Sequence, residues 1–268
     1  AAAFAAQGPF SPNIAVLSRD VDPGYEFQDP ILHRRGPHLV ATFSWLLPIL
    51  TAPFLAVLGA RGLYVIPALA VIVVFLLGRS LGRAMGQGSG LWAGWAAAAA
   101  TPMLFFGGEL WEHAPAAAAA MATAVLLAPR PGDSAPVIRF VSAGAFGAIA
   151  ALFREEAGLA LPSFLIARAL VAGRDARILF TTAAAVLGAA AIVLASIPLN
   201  LTTYGSALPL HLSSEIEKTG NYVATRMDAI RDMVLPSPGA ALFVVAVAAT
   251  LVALAASHGP SVGIFAAR

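Results

Sequence analysis

The residues able to do chemistry fall in four short clusters. The first is "SRDVDPGYEFQDP", residues 18–30, where Asp20 and Asp22 form a D-x-D pair. Two carboxylates so spaced can hold a metal–phosphate, or one can take a proton as a general base. Asp22 is the better base, because Pro23 and Gly24 favour a turn that exposes it. Asp20 has Arg19 beside it, and an ion pair there lowers its basicity. The second cluster is "GGELWEH", whose Glu109, Glu112 and His113 have i, i+3, i+4 spacing and on a helix would share one face. The third is "FREE", with Arg154 as a planar fork for phosphate oxygens and Glu155 and Glu156 behind it. The fourth is the long loop 200–239, with His211 near its start.

Each cluster also has a plain structural reading. Asp20 and Asp22 suit a solvated acidic loop. Glu109, Glu112 and His113 suit a polar cap on a span, with Trp111 as its interfacial anchor. Arg154, Glu155 and Glu156 suit a local ion pair at a helix N-terminus, which favours acids. "ELWEH" matches neither zinc signature of two histidines nor the Glu-x-x-His of carboxylate metal sites.

What must position these residues is a set of apolar helices. The chain has 268 residues, is 59% hydrophobic and only 11% charged, and has a mean hydropathy of +0.81. Soluble domains are about a quarter charged. This composition predicts an all-α, polytopic transmembrane bundle. Cysteine is absent, which excludes disulfides and thiol chemistry. No basic patch or motif points to nucleic acid. The opening "AAAFAAQGPF" and closing "SVGIFAAR" read as cut ends, so 1–268 is expected to be a single transmembrane domain truncated at both ends.

A span takes about 20 apolar residues. Candidates are 62–82, 90–106, 138–153, 157–172, 178–199 and 240–257, with 114–129 a weaker, Ala-rich crossing. The Ala runs at 96–100 and 116–120 suit close helix packing. Seven arginines (Arg79, Arg83, Arg130, Arg139, Arg168, Arg174 and Arg177) crowd three short loops, which the positive-inside rule puts in the cytoplasm. Of fourteen carboxylates, only Asp133 and Asp175 then lie inside. The predicted location is the cytoplasmic membrane, with the acidic clusters facing outward. Segment 38–58 is long enough to cross, but Pro48 and Pro53 argue for a bent juxtamembrane helix at the outer leaflet. In the loop 200–239, Ile216, Val223, Met227, Ile230 and Val234 form an apolar stripe that predicts an interfacial helix. Asn200-Leu-Thr202 is formally a glycosylation sequon, discounted because it abuts a span.

No ionisable residue falls mid-span, as ion-coupled carriers require. Charges at the span ends suit a substrate with a lipid tail and a polar head. In this order the clusters resemble the GT-C class of membrane glycosyltransferases. More narrowly, they resemble bacterial relatives of protein O-mannosyltransferases and aminoarabinose transferases. The matching stretches are the first-loop Asp20 and Asp22, "GPHLVATFSWLLP", "LLGRSLGR", "TPMLFFGGELWEH", "ALFREEAGLALP" and "NLTTYGSALPLHL". The family's first span is missing, and Gly36-Pro37-His38 stands where some members carry Lys-Pro-Pro.

The resemblance implies transfer of a sugar from a polyprenyl-phosphate donor to an extracytoplasmic hydroxyl on a glycan, lipid or protein. It implies Asp22, Asp20 and Glu112 as catalytic residues. Glu109, His113, Arg154, Glu155 and His211 would bind substrate. No cofactor is required, though the first-loop acids leave room for a divalent cation. Membrane lipids would be the remaining partners. A transporter or lipid flippase, and a non-catalytic assembly subunit, are the competing readings.

Overall fold

The computed structural model describes residues 14–15, 32–35, 38–41, 44–86, 88–128, 135–172 and 176–207, all within the first of two compact units, Ala1–Ser213. Three short antiparallel strands come first: β1 (Ile14–Ala15), β2 (Leu32–Arg35) and β3 (His38–Ala41), in the order β1-β3-β2. Ala15 and Arg35 both register with His38, from opposite sides of β3. Helices follow, with α1 at Leu46–Leu58, a 3-10 turn at Gly59–Tyr64, α2 at Val65–Ala84, α3 at Leu91–Ala99 and α4 at Met103–Gly107. Then come α5 (His113–Leu127), α6 (Val137–Phe153), a 3-10 turn (Glu155–Leu159), α7 (Ala160–Ala172) and α8 (Ala176–Tyr204).

Two apolar runs, Leu46–Ala84 and Arg177–Tyr204, have the length and composition to cross a membrane. The first is not one straight rod. Gly59 ends α1 at φ 61°, in the left-handed region that glycine alone enters without strain. The 3-10 turn then folds back so closely that Gly62 lies against the Phe54 carbonyl, with no room for a side chain. Leu46 and Ile66 accordingly pack in one cluster with Leu47, Ala116 and Phe153. The chain leaves and returns to the same end of the bundle. The segment 38–58 therefore starts as a strand and becomes helical only at Leu46. As a helix of 13 residues, α1 is about 20 Å long, too short to cross alone.

Two other sequence expectations shift. The run 90–106 is broken at Ala100–Pro102, because proline has no N–H to continue the helix. Thr101 bridges the break: its hydroxyl donates to the Ala97 carbonyl and accepts from the Met103 amide. The segment 178–199 runs on as helix to Tyr204, so Asn200–Tyr204 is the last turn of α8 rather than loop. Gly205, at φ 72°, closes that turn by donating its amide to the Leu201 carbonyl.

The Ala-rich α5 is the most enclosed helix, with Ala114, Ala116, Ala118, Ala119, Ala122 and Thr123 all buried. Small side chains let neighbouring backbones approach, and Thr123 donates a hydroxyl hydrogen bond shared between its own Ala119 carbonyl and Ala143 on α6. The α6–α8 crossing is closer still. Gly144 faces the Ala185 carbonyl and Gly188 faces the Val141 carbonyl, each without space for a methyl group.

Candidate functional site

One end of the bundle gathers polar groups from four separate places in the sequence. They are the start of α1 (Trp45), the start of α5 (Glu112 and His113), the turn after α6 (Arg154 and Glu156) and the end of α8 (Asn200 and Tyr204). The local reasons differ. Glu112 is the N-cap of α5, and Pro115 sits inside the first turn, where its missing N–H costs nothing. Arg154 leaves α6 in an extended conformation, φ −146° and ψ 124°, which turns the chain into the 3-10 segment.

Glu112 is only 8% exposed. Burial pushes its carboxyl above the usual range, with Glu156 adding to the push. A hydrogen bond with its own backbone amide and the positive charge of Arg154 oppose this. His113 goes the other way. Burial and Arg154 hold its imidazole below the ordinary histidine value, against the pull of Glu156. The ring is therefore neutral at pH 7. It stacks on Phe106 at 4.4 Å between centroids and on Trp111 at 5.0 Å, and its Nδ1 is buried without a hydrogen-bond partner.

Arg154 uses its fork within the turn, donating from Nη2 to Glu156 Oε1 at 3.0 Å and from Nε to Oε2 at 3.3 Å. The local ion pair expected as the plain reading is therefore present. Its Glu156 side is mostly exposed, and such pairs contribute only about 0–1 kcal/mol.

At the end of α8, the Trp45 indole N–H donates to Asn200 Oδ1 at 2.6 Å, and Asn200 Nδ2 donates to the Ala207 carbonyl at 2.9 Å. Asn200 is 2% exposed. It is thus no acceptor for a glycan in the folded chain. Tyr204 shares a buried cluster with Trp45 and lies within electrostatic range of Glu112.

The structure thus brings together Glu112, His113 and Arg154. It does not bring in Glu109. Gly107 ends α4, residues 108–112 form a turn, and α5 begins only at His113, so the three residues do not share a helix face. Glu109 is exposed on that turn, while Glu155 is half-buried in the 3-10 segment. Asp20, Asp22 and His211 lie outside the described residues, as do the expected interfacial helix and the span 240–257. Any cation site at the first-loop acids lies there too. Among the described residues, no three His, Asp or Glu side chains come together as a metal would need. Trp45, Asn200 and Tyr204 escaped the sequence reading. The available signal was that Asn200 and Tyr204, four apart, share a face if the helix continues past Leu199.

No protein-family model, no curated protein and no solved structure matches this chain.

Proposed function

We propose that this chain is a membrane-embedded glycosyltransferase of GT-C type, which moves a sugar from a polyprenyl-phosphate donor to an acceptor hydroxyl outside the cytoplasm. The observation that carries the reading is the convergence of buried Glu112 with Arg154 at one end of an apolar bundle. One is a carboxyl with raised proton affinity, the other a planar guanidinium fork whose geometry suits phosphate oxygens. Support for the membrane setting comes from the helix surfaces. Leu69, Ile72, Val73 and Leu76 form an exposed apolar stripe on α2, Leu179, Phe180, Val186, Leu187, Val193 and Leu194 are exposed along α8, and Trp92 is 86% exposed. Patches of that extent suit lipid rather than water.

In the proposed reaction the acceptor oxygen attacks the anomeric carbon as the bond from that carbon to the phosphate oxygen breaks. The leaving polyprenyl phosphate keeps the electron pair, and its growing charge is met by Arg154. Asp22, with Asp20 as the alternative, takes the acceptor proton. Glu112 orients the acceptor, with His113 assisting. Glu109, Glu155 and His211 would line the polar-head side.

The test is transfer from a radiolabelled polyprenyl-phosphate sugar in reconstituted vesicles. Asp22→Asn should keep the fold and donor binding while turnover falls by about 10²–10⁴, a general base's contribution. Near wild-type rates in both Asp22→Asn and Asp20→Asn would end the catalytic reading. Two observations favour other classes. The Arg154–Glu156 pair suits a non-catalytic assembly subunit. The break between α3 and α4 suits a carrier, although no ionisable side chain lies at it.

A further inference from the structure

We infer that Trp45 and Asn200 are positioning residues, whose hydrogen bond wedges the first turn of α1 between the end of α8 and the Glu112 end of α5. The inference deepens the proposed site and rests on Glu112 being its carboxylate. The geometry runs through two clusters that share Leu46. In one, Trp45, Ala52 and Tyr204 pack with Leu46, Ile49 and Leu199. In the other, Leu47, Ala116 and Phe153 pack with Leu46, Ile66 and Ile149. Ala116 is one helical turn beyond Glu112, and Phe153 immediately precedes Arg154. Residues 45–47 therefore touch α8 on one side and the supports of both site residues on the other.

One bond across 155 positions of sequence fastens this wedge to α8. The α1 helix has no charged side chain, and no acidic or basic residue falls in its first or last turn. Its anchorage is the apolar packing, the Trp45–Asn200 pair, and the Trp45 backbone within hydrogen-bonding reach of Tyr204. Asn200 is in turn fixed by donating to Ala207. The amide is thus oriented at both its oxygen and its nitrogen. The consequence is dryness at Glu112. With the wedge in place, the carboxyl faces Arg154 and Glu156 from the turn after α6 and Tyr204 from α8, with His113 and Glu109 on its own segment. Lifting the wedge admits water beside Ala116 and then Glu112.

The chain has no native cysteine, so single cysteines report without background. Ala116→Cys, buried beneath the wedge, and Ala143→Cys, buried between helices further along the bundle, are alkylated in detergent with and without Trp45→Phe, which keeps an aromatic ring but loses the indole N–H. The expected result is about tenfold faster alkylation at position 116, as for loss of one buried hydrogen bond, with position 143 unchanged. An equal rise at both positions would mean the bond holds the whole bundle, and no rise at 116 would mean it holds nothing there. Either overturns the wedge. A second measurement follows the Glu112 carboxyl by infrared titration, assigned by difference against Glu112→Gln. In Trp45→Phe and in Asn200→Leu its midpoint should fall toward the ordinary carboxylate range, and an unmoved midpoint counts against the inference. Both readouts are independent of sugar transfer, so a failed wedge and a failed transferase reading give different results.

Discussion

The two ends of the bundle use charge in opposite ways. At the arginine end, cations close turns. Arg79 and Arg83 both donate to the Ser89 carbonyl, at 3.3 and 3.0 Å, and so tie α2 to the start of α3. Arg139 donates to the carbonyls of Leu126 and Ala128, at the C-terminus of α5. Arg168 donates to Thr181 Oγ1 at 3.0 Å and lies over the Phe140 ring at 4.5 Å. These arginines meet helix C-terminal carbonyls, neighbouring hydroxyls or an aromatic face, which is structural work. At the other end, a buried carboxyl, an imidazole and a half-exposed guanidinium meet where the start of α5 faces the turn after α6. Burial there raises the proton affinity of Glu112 and lowers that of His113. The same fold thus carries one end where charge closes turns and one where a carboxyl is buried.

The sharpest way to break this contrast is to remove one group from each end. Glu112→Gln should lower sugar transfer by about 10²-fold through a misplaced acceptor while the protein stays folded, whereas Arg139→Gln should leave the rate per folded molecule unchanged. A loss of transfer in Arg139→Gln of similar size, measured per folded molecule, would erase the distinction between the ends.

Next in size is the stability cost at the arginine end. Arg139 makes two charge-assisted hydrogen bonds to carbonyls, so Arg139→Gln should cost about 1.5–3 kcal/mol in denaturant unfolding. Glu156→Gln, at the other end, should change stability by less than about 1 kcal/mol, since its pair is exposed. It should also leave Arg154 more available, tightening donor binding. Weaker donor binding in Glu156→Gln would argue that the pair is only a cap. Arg154→Lys keeps charge but loses the fork, and should be impaired in donor affinity or turnover.

The pH dependence is smaller and sharpens the same point. Folding favours the protonated Glu112 carboxyl. Its contribution to stability is fully present below the unfolded carboxyl's value and is lost as pH rises through the raised folded value. His113 has the reverse sign. Its contribution is present above the ordinary histidine value and is lost as pH falls through the depressed folded one. Melting temperature measured against pH should therefore lose its alkaline-going decline in Glu112→Gln. An unchanged profile would mean Glu112 is not dry in solution.

Sidedness offers a further check. Glu112 is buried, so Glu109→Cys and Glu155→Cys are the positions that should react with an impermeant maleimide from outside. Protection of either would contradict the proposed outward orientation of this end.

The helices were largely legible in the sequence, because apolar length and Gly or Pro punctuation are local properties. Even the Ala-rich α5 lies where its alanines imply, packed against α2, α6 and α7. The site was legible in its parts but not in its arrangement. Spacing put Glu109, Glu112 and His113 on one face only if a helix ran through them. Gly107 and Gly108 end that helix first, and this depends on where α4 and α5 must meet. Hydropathy falls after Leu199 and so suggests a loop at Asn200 and Tyr204, yet helix ends follow hydrogen bonding rather than hydropathy. The Trp45–Asn200 bond joins the two ends of the described helical region, and no local pattern announces such a pair.

The glycine crossing of α6 and α8 also makes a statement about heritable variation. A methyl at Gly147 would meet the Leu161 side chain at 2.8 Å, and one at Gly107 would meet Val71 Cγ2 at 2.5 Å. At 71 alanine removes the clashing Cγ2, whereas at 161 the atom met is Cβ, so second-site revertants should appear at 71 as alanine and at 161 only as glycine. At Gly144 and Gly188 the obstacle is the peptide backbone itself. No change of side chain removes a carbonyl. In a suppressor screen, alanine at either position should yield only true reversion to glycine.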